Sequence, residues 1–417
     1  MDTLEWINSL IGTLFALCYA YQLLYIPLLW ILKTRQAPAA PPVRFHHFAV
    51  LICARNEEAL IGDLIDSLRE QTYPAECLHI FVMADNCTDQ TAQIAAAHGA
   101  SVYTRFDREQ IGKGYALDAL LSHLREDHPE GFDGYFVFDA DNLLEKDYIE
   151  QMNRTFCEGH DIITSYRNSK NYGDNWISAG YGLWFLRESR YLNEARFRLG
   201  TSCAVSGTGF FFSRKIADEL AGWPFHMLTE DIEFSIHEIT KGRKIAFCEK
   251  AVLYDEQPTS FRQSWLQRLR WSRGYLQVFK GYGGALILGT LKQSFSCFDM
   301  SMTIMPAFFL SVVSILCNLV LGVSGAFLRD DVMIALRSVF QMLSSMYGLL
   351  FMIGAITTVS EWRAIHTTTL KKIFYMFTFP LFMFTYIPIS VTSLFHNAGW
   401  KPITHRVSAK QFKRSLG

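Results

Sequence analysis

The chain has 417 residues, of which 50% are hydrophobic and 19% charged, and its net charge is −1. Four stretches hold no Asp, Glu, Lys or Arg: Trp6–Leu32, Met300–Leu328, Ser338–Ser360 and Ile373–Phe395. At a helical rise of ~1.5 Å per residue, each exceeds the roughly 20 residues that cross a bilayer core, which excludes a purely soluble enzyme and a disordered chain. The near-zero net charge supplies no global field to recruit nucleic acid.

The remaining charge is unevenly placed. Only 2 charged residues precede Lys33 and 13 follow Asp299, so 64 lie within the 267 residues 33–299. That density is close to the roughly 25% of soluble domains, so a purely membrane-buried bundle is excluded as well. The nine cysteines are scattered without a C-x-x-C pair. They support neither a disulfide framework nor a zinc site, and they point to a reduced compartment.

Residues 1–36 read as a transmembrane anchor. Asp2 and Glu5 precede the apolar run and Lys33, Arg35 and Arg44 follow it. Acidic flanks before and basic flanks after place the amino terminus outside and the following domain in the cytoplasm. The run is too long for a signal-peptide core and lacks a basic leader. Ala37–Pro42 is a stiff linker opening a domain that extends over residues 37–259. Phe48–Ala54 is a continuous apolar run, as a buried parallel strand shows. Asn56-Glu57-Glu58 are placed to cap the next helix, where Leu60, Ile61, Leu64, Ile65 and Leu68 recur at helical spacing. Strands follow at His79–Ala84, Ser101–Thr104 and Tyr135–Phe138, with helices between them, the third beginning near Tyr115. This alternation predicts an α/β domain with a mostly parallel, doubly wound sheet, and such sheets bind ligands beyond the carboxyl ends of their strands.

Two predicted strands end in aspartate, at Asp85 and at Asp139-Ala140-Asp141. Asp139 and Asp141 suit a hard divalent cation shared with a diphosphate, or alternatively a turn or helix cap. Asp85 suits a ligand hydrogen bond, whereas Asp89 fits a turn or cap. Gly112-Lys113-Gly114 opens a helix, where a lysine and free backbone amides suit phosphate; the spacing is not that of a P-loop. Ser206-Gly207-Thr208-Gly209 reads as a tight loop before a buried strand. Thr229 is placed as an N-cap, and Glu230 or Asp231 behind it suits a general base. Gln267, Arg270 and Trp271 share one helical face, fit for diphosphate and pyranose. Arg262, Arg268, Arg270 and Arg273 also suit an interfacial helix over residues 260–297, facing anionic lipid.

Taken in order, Asp85, Asp139-Ala140-Asp141, Thr229-Glu230-Asp231 and Gln267-x-x-Arg270-Trp271 resemble the processive, membrane-embedded family-2 glycosyltransferases. These comprise cellulose, hyaluronan and chitin synthases and the nodulation-type chitooligosaccharide synthases. The resemblance implies a GT-A fold, a UDP-sugar donor, Mg²⁺ or Mn²⁺, and a growing glycan acceptor exported across the bilayer. It assigns Asp85, Lys113, Asp139, Asp141 and Arg270 to the donor, with Asp139 and Asp141 on the metal. Asp231, beside Glu230, becomes the catalytic carboxylate. Trp271, Gln267, Ser206, Gly207 and Thr208 become acceptor contacts. The sequence departs from the pattern in Ala84-Asp85-Asn86 and in a loop without cysteine before Phe210.

Residues 298–396 read as a carboxyl-terminal membrane region and 397–417 as a basic tail. Three further crossings leave that tail outside, against the preference of Lys401, Arg406, Lys410, Lys413 and Arg414 for the cytoplasm. Ile373–Phe395, with Pro380 and Pro388, is therefore expected to be re-entrant or doubled back. For the polysaccharide reading the expected donor is UDP-glucose or UDP-N-acetylglucosamine. The competing functions are a transferase that adds one sugar to a lipid, as ceramide glucosyltransferases do, and a transporter or receptor that only binds nucleotide.

Overall fold

The computed structural model describes residues 3–33, 42–305, 332–396 and 407–416, with Val313, Leu316 and Val320. Most of the linker, most of Met300–Leu328, and Lys401 and Arg406 of the tail lie outside the described residues.

Eight strands form one sheet: β1 (Phe48–Ala54), β2 (Leu78–Asp85), β3 (Ser101–Arg105), β4 (Gly134–Asp139), β5 (Leu143–Leu144), β6 (Ile162–Ser169), β7 (Phe210–Ser213) and β8 (Ala246–Asp255). Their order is β3-β2-β1-β4-β7-β6-β8-β5. The first four run parallel, as expected, but β7 is antiparallel to both β4 and β6, so the sheet is mixed. Two reversals cancel. β6 and its parallel neighbour β8 therefore end at the same edge as β2 and β4.

Helices α1 (Thr3–Lys33), α2 (Ile61–Arg69), α3 (Thr91–Ala97), α4 (Lys113–Asp127), α5 (Tyr148–Cys157), α6 (Trp176–Arg187), α7 (Glu194–Arg198), α8 (Arg214–Leu220), α9 (Glu230–Thr240), α10 (Phe261–Leu291) and α11 (Phe295–Ile304) follow the chain. A π-helical turn, Glu188–Asn193, joins α6 to α7. The sheet is covered on both faces, because β1 alternates: Ala49 and Leu51 pack with Leu117 and Leu120 of α4, while Phe48, Val50 and Ile52 pack with Ile61, Leu64 and Ile65 of α2.

Two expected caps are not made. Helix α2 starts at Ile61, and Asn56 takes a left-handed conformation (φ 57°) instead of capping it. Its Oδ1 accepts the Thr88 amide at 2.8 Å, which pins the β1 loop to the β2 loop. Thr229 stands at the start of α9 without a side-chain cap bond. It is held by sterics: a Cβ on Gly274 of α10 would lie 2.5 Å from its Cγ2. Asp89 does serve its turn, accepting the Thr91 amide at 3.0 Å.

Among the described residues, two helical stretches, Leu343–Ser360 and Thr369–Phe395, are long and apolar enough to cross a membrane, and a shorter apolar helix covers Cys18–Leu32. The second stretch breaks at Thr385 rather than at either proline, giving helices Thr369–Phe384 and Tyr386–Phe395. The break coincides with Arg268 of α10, whose Nη1 donates to Thr385 Oγ1 at 2.6 Å and to Phe382 O at 3.3 Å. Arg268 is 0% exposed and stacks on Phe382 and Tyr386, so this arginine faces protein and not lipid, contrary to the interfacial expectation.

A second buried cation ties the amino-terminal helix to the domain. Arg196 of α7 bonds Asp299 of α11 through two nitrogens, at 2.7 and 3.0 Å, and Tyr21 and Tyr25 of α1 donate to the same carboxylate. Removing one member of a buried pair costs about 3–5 kcal/mol, because the other charge is left uncompensated. Asp299→Ala is therefore expected to lower the melting temperature in detergent and to expose the segment after α1 to limited proteolysis. Replacing both partners, Arg196→Met with Asp299→Leu, should recover most of the loss. An unchanged melting temperature in Asp299→Ala removes the pair from the account.

Candidate active site

A cavity of about 590 Å³ opens at the edge where β2, β4, β6 and β8 end. Every sequence-selected residue lines it except Thr208: Asp85, Lys113, Asp139 and Asp141 on the sheet side, Ser206 and Gly207 beside them, and Glu230, Asp231, Gln267, Arg270 and Trp271 opposite. Thr208 is buried beneath the wall. Its Oγ1 accepts the Asp139 amide at 2.9 Å and donates to Asn142 Oδ1, so it braces the β4 end.

The strand-end carboxylates each carry a partner. Asp85 accepts Arg105 Nη1 at 2.7 Å. Asp139 pairs with Lys113, whose Nζ also donates to Gly207 O at 2.7 Å. Lys113 opens α4 after Gly112, which sits at φ 145°. Asp141 Oδ2 accepts the Glu256 amide at 3.0 Å. Arg270 has a different character: its Nε is buried without a hydrogen-bond partner among the described residues, at the cavity wall. A buried, unsatisfied cationic donor facing a cavity suits an anionic ligand. Trp271 meets Tyr181 edge-on at 5.8 Å between centroids and Phe185 at 6.3 Å, so its indole is fixed in orientation.

Glu230 and Asp231 sit together at the first turn of α9, facing Gly207. Burial raises both carboxyls; for Glu230 the Asp231 charge adds to it, Lys113 and Arg270 oppose it, and the result is pushed up to about 7. Two carboxylates in one half-buried place hold a proton more tightly than either alone.

Sequence reasoning missed three residues on the wall. Asp255 ends β8 just as Asp85 ends β2, a signal that was present in the sequence. It pairs with Arg167 of β6, and its Oδ1 is buried without a hydrogen-bond partner among the described residues. Arg167 also donates to Ser206 O at 2.9 Å and lies over the Phe185 ring. Glu188 opens the π-helical turn and accepts the Ser206 hydroxyl. Nothing in the local sequence marks it.

Beyond Trp271 the cavity continues between apolar helices, where Ile304, Met305, Met346, Leu350, Phe384 and Ile387 line it. The pocket thus joins a charged end at the sheet to an apolar arm.

The model of the glycosyltransferase-like family 2 matches residues 46–274, more than half of the chain. The chain belongs to that family. Among curated relatives, a probable glycosyltransferase of Bacillus subtilis, YdaM, is 27% identical over 54% of this chain and 54% of its own. A beta-monoglucosyldiacylglycerol synthase of Synechocystis is 25% identical over 58% of this chain and 50% of its own. The matched segments therefore span about half the length of these relatives. The solved mannosyltransferase PcManGT from Pyrobaculum calidifontis, in complex with GDP-Man and Mn²⁺, superposes with a TM-score of 0.59 at 15% identity, covering 93% of this chain and 98% of that one. The fold of this family-2 chain is accordingly related to that of GT-A-type transferases.

The donor set fits a divalent cation of the oxygen-loving kind. Asp139 and Asp141 leave β4 together, and Asp255 adds an unpartnered buried carboxylate oxygen to the same cavity. Among the described residues no group of three or more His, Cys, Asp or Glu side chains is disposed as a metal cage.

The raised carboxyls have a consequence for stability that needs no substrate. A carboxyl with a folded value near 7 and an ordinary value of 4.5 binds more protons folded than unfolded between these limits. Its contribution to stability therefore falls as pH rises through that window. Glu230→Gln removes the repulsion, so it is expected to raise the melting temperature at pH 8 and to leave it nearly unchanged at pH 4.5. A pH-independent shift in thermal unfolding would contradict the raised pair.

Proposed function

We propose that this protein transfers a sugar from a UDP-sugar, UDP-glucose or UDP-N-acetylglucosamine, to a lipid acceptor, one sugar per acceptor. The observation that carries this reading is the continuity of the cavity from the carboxylate-lined sheet edge into an arm dominated by methionine and aliphatic side chains. Such a wall buries an acyl or isoprenoid tail favourably, and it offers few hydroxyl partners to a sugar chain in transit. The Synechocystis relative, a beta-monoglucosyldiacylglycerol synthase, supports a lipid acceptor. Processive polymer extension rests on the ordered motifs Asp85, Asp139-Ala140-Asp141, Thr229-Glu230-Asp231 and Gln267-x-x-Arg270-Trp271.

In this reading Arg270 and Lys113 bind the diphosphate, Lys113 turning from Asp139 and Gly207 to do so. Asp85, held by Arg105, meets the nucleoside. A divalent cation on Asp139 and Asp141 would offset the charge of the departing diphosphate, as Mn²⁺ accompanies GDP-Man in the Pyrobaculum enzyme. Asp231 takes the proton of the acceptor hydroxyl. That oxygen forms its bond to the anomeric carbon on the face opposite the leaving UDP, so configuration inverts. Trp271, Gln267, Ser206 and Gly207 hold the acceptor in line, which makes the attack effectively unimolecular. The cavity faces the cytoplasm, and the apolar helices seat the protein in the cell membrane.

Membrane vesicles given labelled UDP-glucose or UDP-N-acetylglucosamine are expected to yield one labelled lipid in the organic phase. A water-insoluble polymer ladder would replace this reading with the processive one. Asp231→Asn should reduce transfer about a thousandfold, with UDP affinity by calorimetry held within about twofold since the diphosphate contacts are elsewhere. Full activity in that variant removes Asp231 as the base.

A further inference from the structure

The charge balance of the cavity restricts which lipid fits. Among the described residues, nine acidic side chains line it against four basic ones. Two of the four are committed inside the wall, Lys113 to Asp139 and Arg167 to Asp255. Arg55 follows the end of β1, and Arg270, on the wall opposite the sheet, is assigned to the donor diphosphate. Where the charged end meets the apolar arm, the ionic groups are acidic: Asp231, and Glu188 on the π-helical turn.

Glu188 occupies the boundary itself. Its carboxylate accepts the Ser206 hydroxyl, its charged neighbours are Asp231 and two arginines, Arg167 and Arg196, already paired with Asp255 and Asp299, and Trp184 and Phe185, one helical turn earlier, begin the aromatic rim of the arm. A π turn inserts an extra residue into a helix at the expense of regular hydrogen bonding, and such turns concentrate at functional sites. Here the turn brings a carboxylate to the cavity, while Ser189, the next residue, bonds back to the Arg167 amide at 3.1 Å. Burial raises the Glu188 carboxyl.

We propose that Glu188 is a specificity-determining residue that positions the acceptor headgroup, and that the acceptor is an uncharged, hydroxyl-bearing lipid and not a lipid phosphate. With a tail in the apolar arm, the acceptor's head lies between Glu188 and Asp231. A hydroxyl there donates to a carboxylate and presents its oxygen to the anomeric carbon. A phosphate there meets two carboxylates in a half-buried place whose neighbouring cations, Arg167 and Arg196, are already paired with Asp255 and Asp299, which is repulsion built against one class of substrate. This inference rests on the lipid-acceptor reading.

The test uses the full chain in nanodiscs with whichever labelled UDP-sugar it turns over. Two acceptor pairs share their tails: diacylglycerol with phosphatidic acid, and a long-chain prenol with its monophosphate. The neutral member of each pair is expected to be favoured by at least about tenfold in kcat/KM. Glu188→Gln keeps an acceptor oxygen for Ser206 but removes the charge. It should narrow that preference by about tenfold while the KM for the UDP-sugar stays constant. A purely structural Glu188 would instead weaken both acceptors and the donor together and leave the ratio unchanged, and that result overturns the assignment. Preference for either phosphate ester overturns the acceptor class while leaving a lipid glycosyltransferase. A polymer with neither lipid labelled overturns the lipid-acceptor reading itself, and this inference with it.

Discussion

Carboxylates delivered to one edge of a sheet repel one another, and the site is arranged around that repulsion. The strands β2, β4 and β8 end in Asp85, Asp139 and Asp255, and each is given its own cation: Arg105 from the end of β3, Lys113 from the start of α4, and Arg167 from β6. Leaving a buried carboxylate such as Asp85 or Asp255 unpaired costs several kcal/mol, so those two partners are conditions for folding as much as for binding. Asp141 is satisfied differently, by a backbone amide. Glu230 and Asp231 form no salt bridge among the described residues, and burial with their mutual repulsion appears as carboxyls that hold their protons more tightly than usual. The unbalanced acid of the cavity is therefore gathered at the start of α9.

The strands were legible in the sequence because a parallel strand buried on both faces must be apolar throughout, and Phe48–Ala54 is a strand residue for residue. The edge at which function gathers was legible too, since Asp85 and Asp139 announce it. What escaped was tertiary. β7 reads as a buried strand in either direction, and only its neighbours make it antiparallel. Asn56 looked like a cap, but a longer-range bond to the Thr88 amide outweighed the local one. Glu188 has no motif because its position depends on a π turn that no local pattern encodes.

The segment Gln267–Trp271 shows how one helix serves two surfaces. Gln267, Arg270 and Trp271 face the cavity, as their spacing implies. Arg268 turns the other way and enters the break between helices Thr369–Phe384 and Tyr386–Phe395, where it meets the carbonyl of Phe382, the hydroxyl of Thr385 and two aromatic faces. A sequence pattern of alternating arginines at a helix face resembles a lipid-binding surface, yet one of these cations is consumed inside the protein. The same helix carries Gly274, whose missing side chain lets α9 approach and sets the height of Asp231 above the sheet.

A comparable division occurs at the π-helical turn, and it connects the cavity to the apolar helices. Glu188 bonds the Ser206 hydroxyl on the cavity side. Two residues later Arg190 pairs with Glu361 at 3.0 Å, directly after the apolar stretch Leu343–Ser360, while Tyr166 donates to the same carboxylate at 2.6 Å. In a regular α-helix residues two apart point some 200° away from each other, so a single turn can hold both contacts only if neither is forced toward the other's side. The wider π turn adds the slack that lets Ser189 bond the Arg167 amide between them. One turn thus ties Glu361, at the end of an apolar helix, through Arg190, and the cavity wall at Ser206 through Glu188, so the sheet edge and the apolar helices share a single anchor.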